Sequence, residues 1–243
     1  MDFRAKPVAV NEIARWRDLY RREMNCQIIH DSLHPREGWT QSYFLEADGA
    51  LAGYGSIAIA GPWKDTKTIF EFYVLPGRRS RVFDLFNAFL DASEATGIEV
   101  QSNDTLLTVM LHSFAKNITS GSIVFHDKLT TARQMAGATL RQRPDPDSDW
   151  AIEIHGEVAA TGGVLYHYNR PYGDIYMKIA EPFQGEGIGA YLDQELKRAC
   201  RTGGNIPSAR CNTKNLASRR TLQKAGFVPC GNLVSGEFRD SNL

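Results

Sequence analysis

The 243 residues include 28 Lys and Arg against 28 Asp and Glu, so the formal net charge is zero, and 42% of the side chains are hydrophobic. That mixture describes a globular chain with enough material for one large core or two small ones, and it excludes a disordered polymer. A balanced charge also argues against broad capture of nucleic acid, which needs a basic excess or a basic face. Arg78, Arg79 and Arg81 form only a short basic spot and read as a solvated loop. The weakly polar stretch at residues 50–61 is interrupted by glycines and stops at Pro62, so no membrane span is expected. The start, Met1-Asp2-Phe3-Arg4, lacks the apolar core of a signal peptide. Cys26, Cys200, Cys211 and Cys230 show neither a CxxC pair nor zinc-like spacing, which predicts reduced thiols, a cytoplasmic location and no metal. His30 and His34 lie four apart without an HExxH context and read as surface or loop histidines.

Helical periodicity begins at Ile13, Trp16, Tyr20 and Met24, with Asn11 as the expected cap. Strands follow at residues 43–45 and 51–59, joined by a turn at Ala47-Asp48-Gly49, and a third at residues 68–74 runs into Pro76-Gly77. Val82, Phe83, Phe86, Phe89 and Leu90 share one side of a helix. A short strand at residues 98–101, a helix at 105–115 and a strand at 123–125 complete this half. The polar, proline-bearing segment at residues 141–149 reads as a linker. The same order then recurs. Strands at residues 151–154 and 158–168 flank a turn at His155-Gly156-Glu157, and another strand covers 174–180. A helix then places Ile188, Leu192, Leu196, Ala199 and Cys200 inward, with Asp193 facing Lys197 across one turn. Thr202-Gly203-Gly204 stops that helix, a strand covers 209–212, and a short helix at 216–225 ends at Gly226. The expected fold is α/β in two halves, residues 1–143 and 144–243, each a twisted mixed β-sheet flanked by helices.

The chemistry concentrates between the strand and helix of the second half, in Ile179-Ala180-Glu181-Pro182-Phe183-Gln184-Gly185-Glu186-Gly187-Ile188-Gly189-Ala190. A helix start offers unpaired N–H groups and roughly half a positive charge. Glycines let a phosphate approach that backbone without a Cβ in the way. A nucleotide P-loop would end Gly-Lys-Ser/Thr, whereas this loop ends Gly189-Ala190-Tyr191. A dinucleotide loop would read GxGxxG, whereas these glycines alternate two and two. A glycine-rich turn that merely packs helix on strand is the structural alternative.

Gln184-x-x-Gly187-x-Gly189 resembles the Gln/Arg-x-x-Gly-x-Gly/Ala signature of the GNAT superfamily of acyl-CoA-dependent N-acyltransferases. Asn215-Leu-Ala-Ser218-Arg-Arg-Thr-Leu222-Gln-Lys224-Ala-Gly226-Phe227 is similar to that superfamily's second signature, Asn-x-x-Ala-x-x-x-Tyr-x-Lys-x-Gly-Phe. The resemblance covers residues 150–238 and implies acetyl-CoA or coenzyme A as cofactor. It implies that the backbone near Ile179 and Ala180 pairs with the pantetheine arm. Gln184, Gly185, Glu186, Gly187, Ile188, Gly189 and Ala190 would cradle the pyrophosphate, Asn215 would bind the pantetheine, and Ser218 would lie close by. Helix capping is an equally natural role for Asn215.

The second signature departs from the family at Leu222, where a tyrosine often protonates the leaving thiolate. A thiol has a pKa of about 8.5, so the thiolate leaves tolerably well without an acid. Tyr166, Tyr168, Tyr172 and Tyr176 lie on the facing strands as other donors, and Asp174, Glu181 and His167 are candidate bases. The catalytic set expected is Asp174, Tyr176 and Tyr168, with Cys211 read as inert packing rather than a nucleophile. The first half offers Arg81, Val82 and Phe83 where the loop glycines would be needed, and so reads as a degenerate copy that walls the acceptor site. Trp63, Phe70, Phe72 and Tyr73 could line that site, although such clusters are more often core. The implied function is transfer of an acyl group, acetyl above all, from acyl-CoA to a primary amine, most naturally that of a small molecule. Neither nucleic acid nor membrane is an expected partner, and a homodimer is compatible with this reading. The alternative is a non-catalytic acyl-CoA sensor or interaction module.

Overall fold

The computed structural model describes residues 2–145 and 148–238. They fall into two compact units, Met1–Gly121 with Asn232–Leu243, and Ser122–Gly231. Two strands run from one unit into the other: β6 (Ala115–Asp127) begins in the first, and β12 (Phe227–Phe238) begins in the second.

In the first unit, β1 (Phe3–Val8) and helix α1 (Ala14–Met24) precede β2 (Thr40–Ala47) and β3 (Ala50–Ala58). These two strands form a hairpin whose two-residue turn, Asp48 (φ 50°) and Gly49 (φ 78°), has the positive dihedrals that such tight connections require. Next come β4 (Thr68–Val74), α2 (Val82–Ser93), β5 (Gly97–Gln101) and α3 (Thr105–Phe114). The strands lie in the order β1-β2-β3-β4-β5-β12-β6. β4 and β5 are parallel and pair only at Thr68–Gly97 and Ile69–Ile98. Of the stripe expected of α2, Val82, Phe86 and Phe89 pack in a core with Phe72 and Val74, and Leu90 packs partly buried against it; Phe83 is 48% exposed, and Leu85, outside that stripe, is buried in the same core. Phe70, Phe72 and Tyr73 are buried. Asp104 caps α3 by accepting from Leu107 N–H at 3.0 Å, and it also accepts from the Tyr20 hydroxyl at 2.8 Å.

The second unit holds β7 (Ala138–Asp145), β8 (Ser148–Ile154), β9 (Glu157–Asn169), β10 (Tyr172–Ile179), α4 (Ile188–Thr202), β11 (Ile206–Asn212) and α5 (Leu216–Lys224). Its strands lie in the order β12-β6-β11-β10-β9-β8-β7, and the inner face of α4 packs Ile188, Leu192, Leu196 and Cys200 on Ile152, Ala160, Val164 and Ala209. Burying such side chains is worth roughly 1.5–3 kcal/mol each before chain entropy is counted.

Several expectations need correcting. Residues 146 and 147 of the segment read as a linker lie outside the described residues, but its remainder forms the facing ends of β7 and β8. β7 is an edge strand, one side of which meets no neighbour, so a polar, proline-bearing run is compatible with strand there. The division of the units accordingly falls at Gly121 and Asn232 rather than at residue 143. Asn11 does not cap α1; Ile13 occupies that position and no side chain caps it. His30 and His34 are buried, not on the surface, with Nε2 of each close to a carboxylate: Glu99 at 2.7 Å and Glu71 at 3.0 Å. Burial favours a raised pKa at Glu71, but His34, Arg17 and Tyr54 outweigh it and hold the carboxyl at about 2. Lys197 does not pair with Asp193. Its ammonium donates to Leu129 O at 2.8 Å and Ala225 O at 2.6 Å, and lies 2.8 Å from Asp127. With those acceptors taking its N–H groups, Asp193 is left fully buried and, among the described residues, without a hydrogen-bond partner.

Candidate functional site

β10 and β11 run parallel, and their register holds from Tyr172–Ile206 to Ile175–Ala209. Past that pair β10 continues beside β9 as far as Ile179–Ala160, while β11 continues beside β6 as far as Asn212–Ser122. Two parallel strands that stop pairing leave backbone groups unserved and a gap between them. A cavity of about 840 Å³ occupies this end of the second unit, lined by β10, β11, the glycine loop, α4 and α5.

The loop shows why its residues are what they are. A single 3-10 turn, Glu181–Phe183, leads through Gln184 to Gly185 (φ 88°) and Gly187 (φ 86°), both in the left-handed region that L side chains avoid. A Cβ added at either would meet nothing within 4 Å, so the space beside both is open. Gly187 begins α4, and the first intrahelical bond runs from Tyr191 N–H to Gly187 O at 3.2 Å. The N–H groups of Ile188, Gly189 and Ala190 therefore have no acceptor within the helix. Gly189 has a different task. A Cβ there would stand 2.9 Å from Thr221 Cγ2 and 3.2 Å from Met177 Sδ, so this glycine lets α4 approach α5 and β10 closely.

At the other end of the cleft, strand alternation sends Ile175 and Met177 toward α4 and sends Asp174 and Tyr176 to the opposite face. The Tyr176 ring covers Gly163, where a Cβ would be 2.6 Å from its hydroxyl. Asp174 is buried, and Arg210 Nη2 lies 3.2 Å from its Oδ2. The Arg210 guanidinium sits 5.2 Å from the centre of the Tyr168 ring. On α5, Asn215 caps the helix by accepting from Ser218 N–H at 3.0 Å.

Of the residues picked out by sequence, Asp174, Tyr176, Ile179, Gln184, Gly185, Gly187, Ile188, Gly189, Ala190, Asn215 and Ser218 all line this one cavity. Tyr168, Ala180 and Glu186 do not; Tyr168 stands beside Arg210 instead. Leu222 lines the cavity and is buried in the core of the unit, in one cluster with Leu192, Leu196 and Phe227. The Cys211 thiol is pushed up by burial, as expected of a packing cysteine. Sequence reading missed Arg210, Asp193, Arg220 and Lys224, which also line the cavity. A charged Arg210 inside the apolar run Ala209–Cys211 was the available signal for the first. Burial pushes the Asp193 carboxyl up to about 8, against the opposing pull of Lys197.

A parted parallel strand pair and a glycine-opened helix start thus face one cavity. Residues 121–227 match the family described as "Acetyltransferase (GNAT) family", so the second unit carries a GNAT domain. Solved structures extend the likeness over the whole chain. A GNAT-family acetyltransferase from Colwellia psychrerythraea aligns with a TM-score of 0.71 at 14% identity, over 97% of this chain and 100% of that one. A tandem GNAT protein from the clavulanic acid biosynthesis pathway aligns at 0.66 and 13% identity, over 99% and 100%. A GCN5-related N-acetyltransferase from Sphaerobacter thermophilus aligns at 0.66 and 15%, over 98% and 96%. At such identities the likeness establishes the fold, that of GNAT acetyltransferases. Comparison with curated proteins finds no match.

Proposed function

We propose that the second unit is an acyl-CoA-dependent N-acyltransferase, acting with acetyl-CoA on the primary amine of a small molecule. One observation carries this reading: a single cavity has an open, glycine-lined anion cradle at one end and an ionisable pair with a tyrosine at the other. The residues present suit the cofactor. The N–H groups at the start of α4 and the free space at Gly185 and Gly187 fit its diphosphate. Arg220 and Lys224 add positive charge to the lining, and the Asn215 amide remains able to donate while its oxygen caps α5. When bound, acetyl-CoA supplies a thioester whose C–S bond breaks as the acceptor nitrogen forms the new C–N bond.

The chain's own groups handle the protons. Asp174 provides the carboxylate that holds an incoming ammonium and accepts its proton at an oxygen. Tyr176 carries a hydroxyl proton at Oη in reach of the cleft, and so takes the role that Leu222 cannot. General acid catalysis of this kind is typically worth about 10²–10⁴-fold. Liberation of free thiol from acetyl-CoA with a panel of primary amines tests the proposal. Tyr176→Phe should lower kcat by about 10²-fold while coenzyme A binds as before. Binding of coenzyme A with no thiol released by any amine would replace this reading by that of a non-catalytic sensor, which Leu222 favours.

We further propose that the first unit binds no acyl-CoA. Where its parallel strands β4 and β5 part, the Gln101 side chain bonds to the backbone of Gln27 and Ile29, so the chain fills its own gap. The cavity between Tyr20, Phe72 and Asp104 measures only about 50 Å³. Residues Pro76–Arg81 also offer no positive-φ glycine before α2.

A further inference from the structure

The acyl-transfer reading leaves one charged group at the parting of the strands without a task. Asp174 has an evident use, since an amine arrives as an ammonium. Arg210 does not: a simple alkylamine meets only repulsion from a guanidinium. Yet Arg210 lines the cavity, its side chain is 30% exposed while that of Asp174 is 6% exposed, and the two stand 3.2 Å apart. The charged side chains that β10 and β11 contribute to the lining are these two, of opposite sign and adjacent. The Tyr168 ring beside the guanidinium limits where it can swing.

From this juxtaposition we infer that the acceptor is zwitterionic, an α-amino acid or a close relative with a carboxylate next to the amine. Such a molecule exchanges partners with the resident pair. Its ammonium takes the place of the guanidinium at Asp174, and its carboxylate engages the planar fork of Arg210, which suits a carboxylate better than any other side chain does. Neither charge is then left unpaired, which is the condition for opening a partly buried ion pair at tolerable cost. An amine lacking the carboxylate would break the pair and leave Arg210 uncompensated. The site would reject it for the same reason that polar sites reject analogues lacking a bonding group. The inference rests on the proposed acyl transfer, but binding alone can test it.

The experiment compares matched pairs: phenylalanine with phenethylamine, leucine with isoamylamine, ornithine with putrescine, and arginine with agmatine. Melting of the protein saturated with coenzyme A is followed with each compound, and thiol release from acetyl-CoA is measured in parallel. At least one amino acid should raise the melting temperature where its decarboxylated partner does not. Its kcat/KM should exceed the partner's by roughly 10- to 100-fold, the range of one charge-assisted hydrogen bond. Arg210→Gln should abolish this preference by raising KM for the amino acid with kcat little changed, and Arg210→Lys should restore part of it. The inference is overturned if decarboxylated amines stabilise the complex and react as well as the amino acids, or if Arg210→Gln leaves the preference intact. Stabilisation by amino acids without any thiol release would uphold the inference and sink the transferase reading instead.

Discussion

Gly187→Ala separates the two jobs that a glycine can have at the start of a helix, provided that it is read beside Gly204→Ala. Both positions have positive φ, 86° and 74°, and at both an added Cβ meets nothing within 4 Å. Each variant therefore carries the same backbone penalty, about 1–2 kcal/mol for a left-handed alanine, and part of this is offset by a less flexible unfolded chain. Differential scanning fluorimetry should show both melting about 2–4 °C lower than the parent, the shift expected for about 1 kcal/mol in a chain of this size. Only Gly187 lies in the cavity lining. Its methyl group would occupy the space beside the N–H groups of residues 188–190. Losing one or two charge-assisted hydrogen bonds at about 1.5–3 kcal/mol each should weaken coenzyme A by roughly 10-fold or more. Titration calorimetry measures this directly. Equal affinity in both variants would refute the claim that open space at Gly187 exists for a diphosphate.

Lys197→Met should cost the second unit about 3–5 kcal/mol in urea denaturation. It leaves the Asp127 carboxylate with Arg201 alone and strips a donor from Leu129 O and Ala225 O. A loss below about 1 kcal/mol would show that the buried ammonium is not what ties α4 to the end of α5. Asp193→Asn should stabilise the same unit, and increasingly so as pH rises. The folded carboxyl titrates at about 8, above its ordinary 3.8, so between those values the folded state keeps a proton that the unfolded state has released. Stability from this group is full below about pH 4 and is lost as pH climbs toward 8. The variant's advantage should widen by roughly 1 kcal/mol or more between pH 5 and pH 7, and an advantage that is flat with pH would count against the assignment.

Much of this molecule could be read from local pattern, because local pattern is what fixed it. The hairpin turns at Asp48-Gly49 and His155-Gly156 demand positive φ, and the glycine loop demands open backbone, so those residues announce themselves. The bounds of β4 are legible to the residue because its run stops short of Pro76. The readings that failed depend on partners distant in sequence. Helical spacing sets Asp193 facing Lys197, but acceptors from Asp127, Leu129 and Ala225 claim the ammonium. The Asp174–Arg210 pair follows from where β10 and β11 lie side by side, which no single strand encodes. Residues 141–145 and 148–149 carry loop-like composition yet form the facing ends of β7 and β8, and β7 lies at an edge, which tolerates what an inner strand cannot. The boundary at residue 143 presumed that units follow one another along the chain.

That last presumption has a bearing on biosynthesis. The GNAT-bearing unit is one uninterrupted stretch, Ser122–Gly231, whereas the other is assembled from two stretches. As the chain emerges from the ribosome, the later-made unit can close first. The earlier-made one waits, its β5 edge lacking the partner that residues 233–237 supply. An unclosed strand edge is adhesive. Chaperone demand during synthesis should therefore fall on the first half of the sequence, although it has been outside the ribosome longest.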